Sequence, residues 1–184
     1  MAGTLSVQKI QGLASSATPT VVEVSSGHVL HAPGHVIQTI NGTSTAEATT
    51  TSNSYQDTPL FASITPKFST SKILINTTFM SGNPSSNYNI YYALFRDSTN
   101  LAADAAGGMH INIGITGNSN QATYHMGGRC AITHLDSPNS TSSITYRVKF
   151  ANITNGQSCY FNRNANGDAS TRTFCTIILQ EIAQ

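Results

Sequence analysis

The sequence predicts an all-β fold: an antiparallel sandwich of jelly-roll type, preceded by an extended N-terminal arm. Three observations lead there. Strand-like alternation recurs at short spacing from residue 36 onward. Clusters of Gly, Asn, Ser and Pro separate the runs. Helical signal is nearly absent, because β-branched and hydroxyl residues fill most windows. The one candidate turn of helix, Leu101 to Ala106, is stopped at once by Gly107-Gly108.

Taken in order, Val36 to Ile40 is the first expected strand, following the Pro33-Gly34 turn. Ala46 to Ser52 is polar and reads as a strand or a solvated edge. Leu60 to Thr65 alternates, with Leu60, Ala62 and Ile64 on one face, and Pro66 ends it. Lys72 to Met80 puts Ile73, Ile75, Thr77 and Phe79 together. Asn89 to Arg96 follows the Gly82-Asn83-Pro84 turn. Met109 to Thr116 groups Ile111, Ile113 and Ile115, and Thr123 to Thr133 is a long strand or a pair. Ser143 to Ala151 sets Ile144, Tyr146, Val148 and Phe150 opposite Thr145, Arg147 and Lys149. Ser158 to Asn162 is short. Thr173 to Ile182 is apolar on both faces and reads as a central strand.

Composition narrows the function classes. Of 184 residues only 9% are charged and the net charge is +1. Such a balance gives no field to gather a polyanion, which argues against nucleic acid as a partner. Ser, Thr and Asn make up roughly a third of the chain, so hydroxyls and amides carry solubility. No apolar run is long enough to cross a membrane, and no apolar leader follows the start, so neither membrane insertion nor secretion is expected. Cys130, Cys159 and Cys175 are odd in number and widely spaced, which predicts buried free thiols.

Residues 1–33 form the expected arm, and residues 34–184 the sandwich domain. The arm carries Val7, Ile10, Leu13, Val22 and Val24 but is too short in each part to bury them within itself. These five residues are the expected partner-binding set, buried through an added strand or a swapped segment on another chain.

The chemistry-bearing motifs are weak. His28, His31 and His35 have ligand-like spacing, but no Cys or carboxylate completes a set and the Pro33-Gly34 turn divides it. His134 and Asp136 lie two apart, yet no Gly-x-Ser-x-Gly elbow accompanies them. Gly107-Gly108 and Gly127-Gly128 lack the Lys and helix of a phosphate loop. No enzyme, metal or cofactor is expected. Tyr88, Tyr91 and Tyr92 cluster near Asn87 and Asn89, and such aromatics serve either sugar contacts or a core. With Asn118 and Asn164 of two later loops, Tyr88, Tyr91 and Tyr92 are the candidate receptor or glycan contacts.

Three stretches together resemble small virion proteins of tailed phages, especially those of marine and cyanobacterial hosts. The first is Gly3 to Gln8 leading to Gly27-His28-Val29-Leu30-His31-Ala32-Pro33-Gly34-His35-Val36. The second is Ala62-Ser63-Ile64-Thr65-Pro66 with Ser69-Thr70-Ser71-Lys72-Ile73-Leu74-Ile75. The third is Leu135-Asp136-Ser137-Pro138-Asn139 with Thr145 to Lys149, closing on Thr176 to Ala183. The resemblance implies a particle-surface module, a tail-fibre or head-decoration protein, usually trimeric. The expected function is a short tail-fibre or knob piece, a homotrimer fixed to the virion by its arm and assembled in the bacterial cytoplasm. A capsid decoration protein that clamps coat subunits is the alternative expectation. A lectin-like sugar-binding module is a further one.

Overall fold

The computed structural model describes residues 28–83, 90–101, 126–152, 158–163 and 172–184. The chain divides into two units, Met1–His31 and Ala32–Gln184. The second unit holds ten strands: β1 (Val36–Ser44), β2 (Ala48–Thr50), β3 (Gln56–Ile64), β4 (Lys72–Asn83), β5 (Ile90–Arg96), β6 (Thr99–Asn100), β7 (Met126–Asp136), β8 (Ile144–Asn152), β9 (Cys159–Phe161) and β10 (Cys175–Ile182). There is no helix among the described residues, and all strand pairs are antiparallel.

Two sheets face each other. In the first, β1 pairs with β10, β10 with β4, and β4 with β7. The short strands extend two of these lines. β10 meets β4 as far as Thr176 opposite Thr78, and β9 resumes the same edge of β4 with Phe161 opposite Ser81. β2 then continues the line of β1 against β9. The second sheet has the order β3-β8-β5-β6. Alternation assigns the inward side chains: Ile73, Ile75, Phe79, Ile132, Phe161, Ile177 and Leu179 from the first sheet, and Leu60, Ile64, Tyr92, Leu94, Ile144, Tyr146, Val148 and Phe150 from the second. Each such side chain contributes about 1.5–3 kcal/mol by leaving water. Tyr92 stacks with Phe150 (centroids 6.1 Å) and tilts against Phe79 (4.8 Å), and Phe161 packs on Phe79 (5.7 Å). The three cysteines are buried and free.

Local sequence explains the irregular points. Ala32-Pro33-Gly34-His35 is a type II turn. Pro33 supplies the first corner, Gly34 has φ 82°, and the His35 N–H donates to Ala32 O (2.9 Å). Pro59 cannot donate to the ladder, and β3 bulges between Asp57 and Phe61 around it. The Thr58 hydroxyl repairs the gap by donating to Val148 O (2.6 Å). On the same side the sheets nearly touch. A Cβ on Gly42 would lie 2.3 Å from Phe61 O and 2.8 Å from Ile177 Cγ2, so only glycine fits.

The registers give the domain two ends. At the first, which we call the root, lie the start of β1, the end of β10 and the 65–71, 97–98 and 137–143 connections. Gly34 N–H donates to Ala183 O (2.8 Å) and Ala183 N–H to His35 O (2.9 Å), so the start of the domain is laddered to the C-terminal strand. At the far end β4 stops, β5 starts, β8 stops and β9 starts, and residues 51–55 join β2 to β3 there.

Candidate functional site

The buried polar groups first account for themselves as ties. Glu181 is fully buried on β10. Its Oε2 accepts from Gln38 Nε2 (2.6 Å), and its Oε1 accepts from the N–H groups of Lys67 (2.8 Å) and Phe68 (3.2 Å). It thus pins the β3–β4 connection to the root end. Asp136 accepts from Arg96 Nη1 (2.9 Å to Oδ2) and from the Tyr146 hydroxyl (2.7 Å), joining β7 to β5 and β8 across the core. Its carboxylate is therefore committed to Arg96 and Tyr146 rather than to His134. Burial, and then the bond to Asp136, push the Tyr146 phenol well above the ordinary tyrosine range.

Two further clusters face outward. On the second sheet the ladder sets Phe61, Arg147 and Phe95 in one row, with Asp57 opposite Lys149. Asp57 meets Lys149 Nζ at 2.9 Å and Arg147 Nε at 3.5 Å. The Arg147 guanidinium lies 4.3 Å from the Phe61 ring centroid, and Lys149 Nζ 4.7 Å from that of Phe95. Tyr55 meets Phe95 edge-on at 5.4 Å.

The other cluster stands where the β9–β10 line is interrupted. Asn162 follows β9 with φ 53°, a left-handed conformation that asparagine tolerates. It is fully buried, and its N–H and both polar atoms of its amide are bonded. Its N–H donates to Met80 O (2.8 Å) and its Nδ2 to Ala46 O (3.3 Å). Its Oδ1 accepts from the N–H (2.9 Å) and hydroxyl (3.1 Å) of Thr173. One residue, by its backbone and its side chain, therefore ties together β4, the β1–β2 connection and the approach to β10. Glu47, between β1 and β2, faces both feet of the excursion, with Arg163 Nε at 3.8 Å and Arg172 Nη2 at 3.6 Å. Its Oε2 is buried and accepts no hydrogen bond among the described residues, so the clamp is electrostatic. Arg163 also lies over the Tyr160 ring at 4.8 Å, and Phe174, beside Thr173, is 57% exposed.

The expected contact residues fare unequally. Tyr92 is a core residue, not a contact, because its ring completes the inward aromatic stack and its hydroxyl donates to Tyr160 O (2.9 Å). Burial pushes its phenol well above the ordinary range. Tyr91 is half-buried on the opposite face of β5. Tyr88, Asn118, Asn164 and the arm residues Val7, Ile10, Leu13, Val22 and Val24 lie outside the described residues. So do the expected strand Met109 to Thr116 and all but Leu101 of the expected helical turn. Sequence reasoning missed Glu47, Arg163, Arg172 and Phe174; the available signal was two arginines flanking one Asn/Gly-rich stretch in a chain with few charges. Among the described residues no group of three or more His, Cys, Asp or Glu side chains is placed to hold a metal ion. Compared with protein-family models and with curated proteins, the sequence matches none.

Proposed function

We propose that this chain is a non-enzymatic structural protein of a tailed-phage particle. It is a homotrimeric surface module of the short-fibre or knob type, fixed to the virion by residues 1–33. The assignment to a virion comes from the sequence resemblance. What supports the anchored-module reading is the polarity of the domain. Gly34, at the start of the domain, is bonded to Ala183 at the root end (2.8 Å), while residues 51–55 and the segments of β4, β5, β8 and β9 next to them lie at the far end. A module held at its root presents those segments outward, toward a host surface.

The strand order also favours the jelly roll within the sandwich class. The lines β1-β10-β4-β7 and β3-β8-β5-β6 place β1, β3, β4 and β5 alternately on the two sheets, and bring the last strand between the first and second long strands of its sheet. In this reading the arm buries Val7, Ile10, Leu13, Val22 and Val24 against a neighbouring chain of the trimer or against the virion.

Copy number in purified particles tests this reading. Quantitative mass spectrometry is expected to find a few trimers per particle. Hundreds of copies would replace the fibre reading with capsid decoration, and absence from the particle would end both. Deleting residues 1–33 is expected to abolish incorporation while the domain still folds. Survival of both incorporation and trimer formation would remove the arm's role.

A further inference from the structure

We propose that the strand junction around Asn162 binds an acidic sugar chain through its carboxylates, with Arg172 and Arg129 as the anion-binding groups and Phe174 as the apolar platform. This rests on the surface-module reading and names a contact site for it.

Charge is the first argument. The chain has few cations and a net charge of only +1. Among the described residues Arg163 and Arg172 nevertheless gather at the junction against one carboxylate, Glu47. Arg129 joins them. It is exposed on β7 opposite Met80, and the Met80 carbonyl accepts the Asn162 N–H. Arg129 thus stands two strand spacings, about 10 Å, from the junction. Among the described residues three arginines stand there against one glutamate. Asp168 lies outside the described residues.

Geometry is the second argument. Glu47 shows that a carboxylate fits between the arginines, yet at 3.6 Å Arg172 makes a loose contact, and its side chain is 44% exposed. A planar guanidinium so placed can turn its fork to a second carboxylate. Phe174, 57% exposed, stands two residues from Arg172 and offers a ring face to the apolar side of a sugar. The support is rigid, because Asn162 is fully buried and bonded on all sides. Three cations without a continuing basic track do not suit a nucleic acid, whose affinity rests on many phosphate contacts.

Calorimetric titration of the full-length protein tests the site. The probes are an oligogalacturonate, a neutral galacto-oligosaccharide and poly(dT), at one salt concentration. Binding of the oligogalacturonate alone is expected. Arg172→Gln combined with Arg129→Gln should weaken it about tenfold or more. Phe174→Ala should weaken it as well, and Arg147→Gln on the other sheet should leave it unchanged. Arg129, Arg172 and Phe174 are exposed, so unchanged unfolding midpoints are expected for their variants. No binding at millimolar oligogalacturonate would overturn the proposal. So would equal binding of the neutral sugar, tighter binding of poly(dT), or an equal loss in Arg147→Gln. Virion incorporation of the double variant is expected to be unchanged. A failed titration therefore removes this site alone, and a failed copy-number test removes the virion reading alone.

Discussion

The outward clusters of the two sheets share a make-up, one carboxylate between two cations beside aromatic rings, but differ in how they are held. Around Asp57 the partners come from neighbouring strands in regular register, and each cation lies over a phenylalanine. Around Glu47 the partners come from the two feet of an interruption, and only Arg163 has a ring beneath it. Regular pairing fills its own contacts and leaves little to offer. An interruption leaves Arg172 open. On this weakly charged sandwich, the less occupied cation stands where a strand line breaks rather than along it.

The comparison can be broken from either side. The largest effect is expected from Gly42→Val. The new side chain would strike Phe61 O, which is backbone and cannot yield, so β1 and β3 must separate. A loss of about 3 kcal/mol or more in urea unfolding is expected, together with loss of the Phe61–Arg147 stack. Asn162→Ala should cost about 2–4 kcal/mol, because it removes three side-chain hydrogen bonds and places a Cβ residue without a local polar partner at φ 53°. Asn162→Gly, which tolerates the backbone, should recover part of it. Only the Glu47 side of the comparison should suffer, which proteolysis near Arg163 and Arg172 would reveal.

A third expectation concerns pH. Burial pushes the Cys130 and Cys159 thiols up from 9.0 to about 12. Above pH 9 the unfolded chain releases these protons while the folded chain keeps them, so stability is full below pH 9 and falls as pH rises toward 12. The slope approaches roughly 1.4 kcal/mol per pH unit for each thiol. Urea midpoints at pH 8 and pH 10.5 check it, and a midpoint that rises with pH would contradict it. The smallest effect is expected from Arg147→Gln, within about 2 kcal/mol, since one partly solvated ion pair, one ring contact and the hydrogen bond from Nη1 to Thr58 O (2.9 Å) are lost.

Much of the sandwich was legible in the sequence. Lys72 to Met80 and Ser143 to Ala151 alternate cleanly, and Ile73, Ile75, Thr77 and Phe79, like Ile144, Tyr146, Val148 and Phe150, are all buried. Period-two patterning reports which face meets the core, and that is all it reports. It says nothing of which strands are neighbours. Ser158 to Asn162 and Thr173 to Ile182 therefore read as separate strands, although β9 and β10 lie in one line along β4. Tyr92 shows the same limit. A tyrosine in an apolar run suits either face, and only the stack with Phe79 and Phe150 decides it. Nothing in the sequence marks Glu181 as buried. The turn amides that make its burial tolerable come from Lys67 and Phe68, more than a hundred residues away.

The ladder between Gly34 and Ala183 also sets how the domain carries force. A pull between the arm's root and the far end runs along β1. It loads the hydrogen bonds from Val36–Ile182 to Ser44–Cys175 in parallel, as in shear. A pull between the arm and the C-terminus would instead open the same bonds one after another, as in a zip. A module tethered at its root and gripped at its far end is loaded in the strong direction.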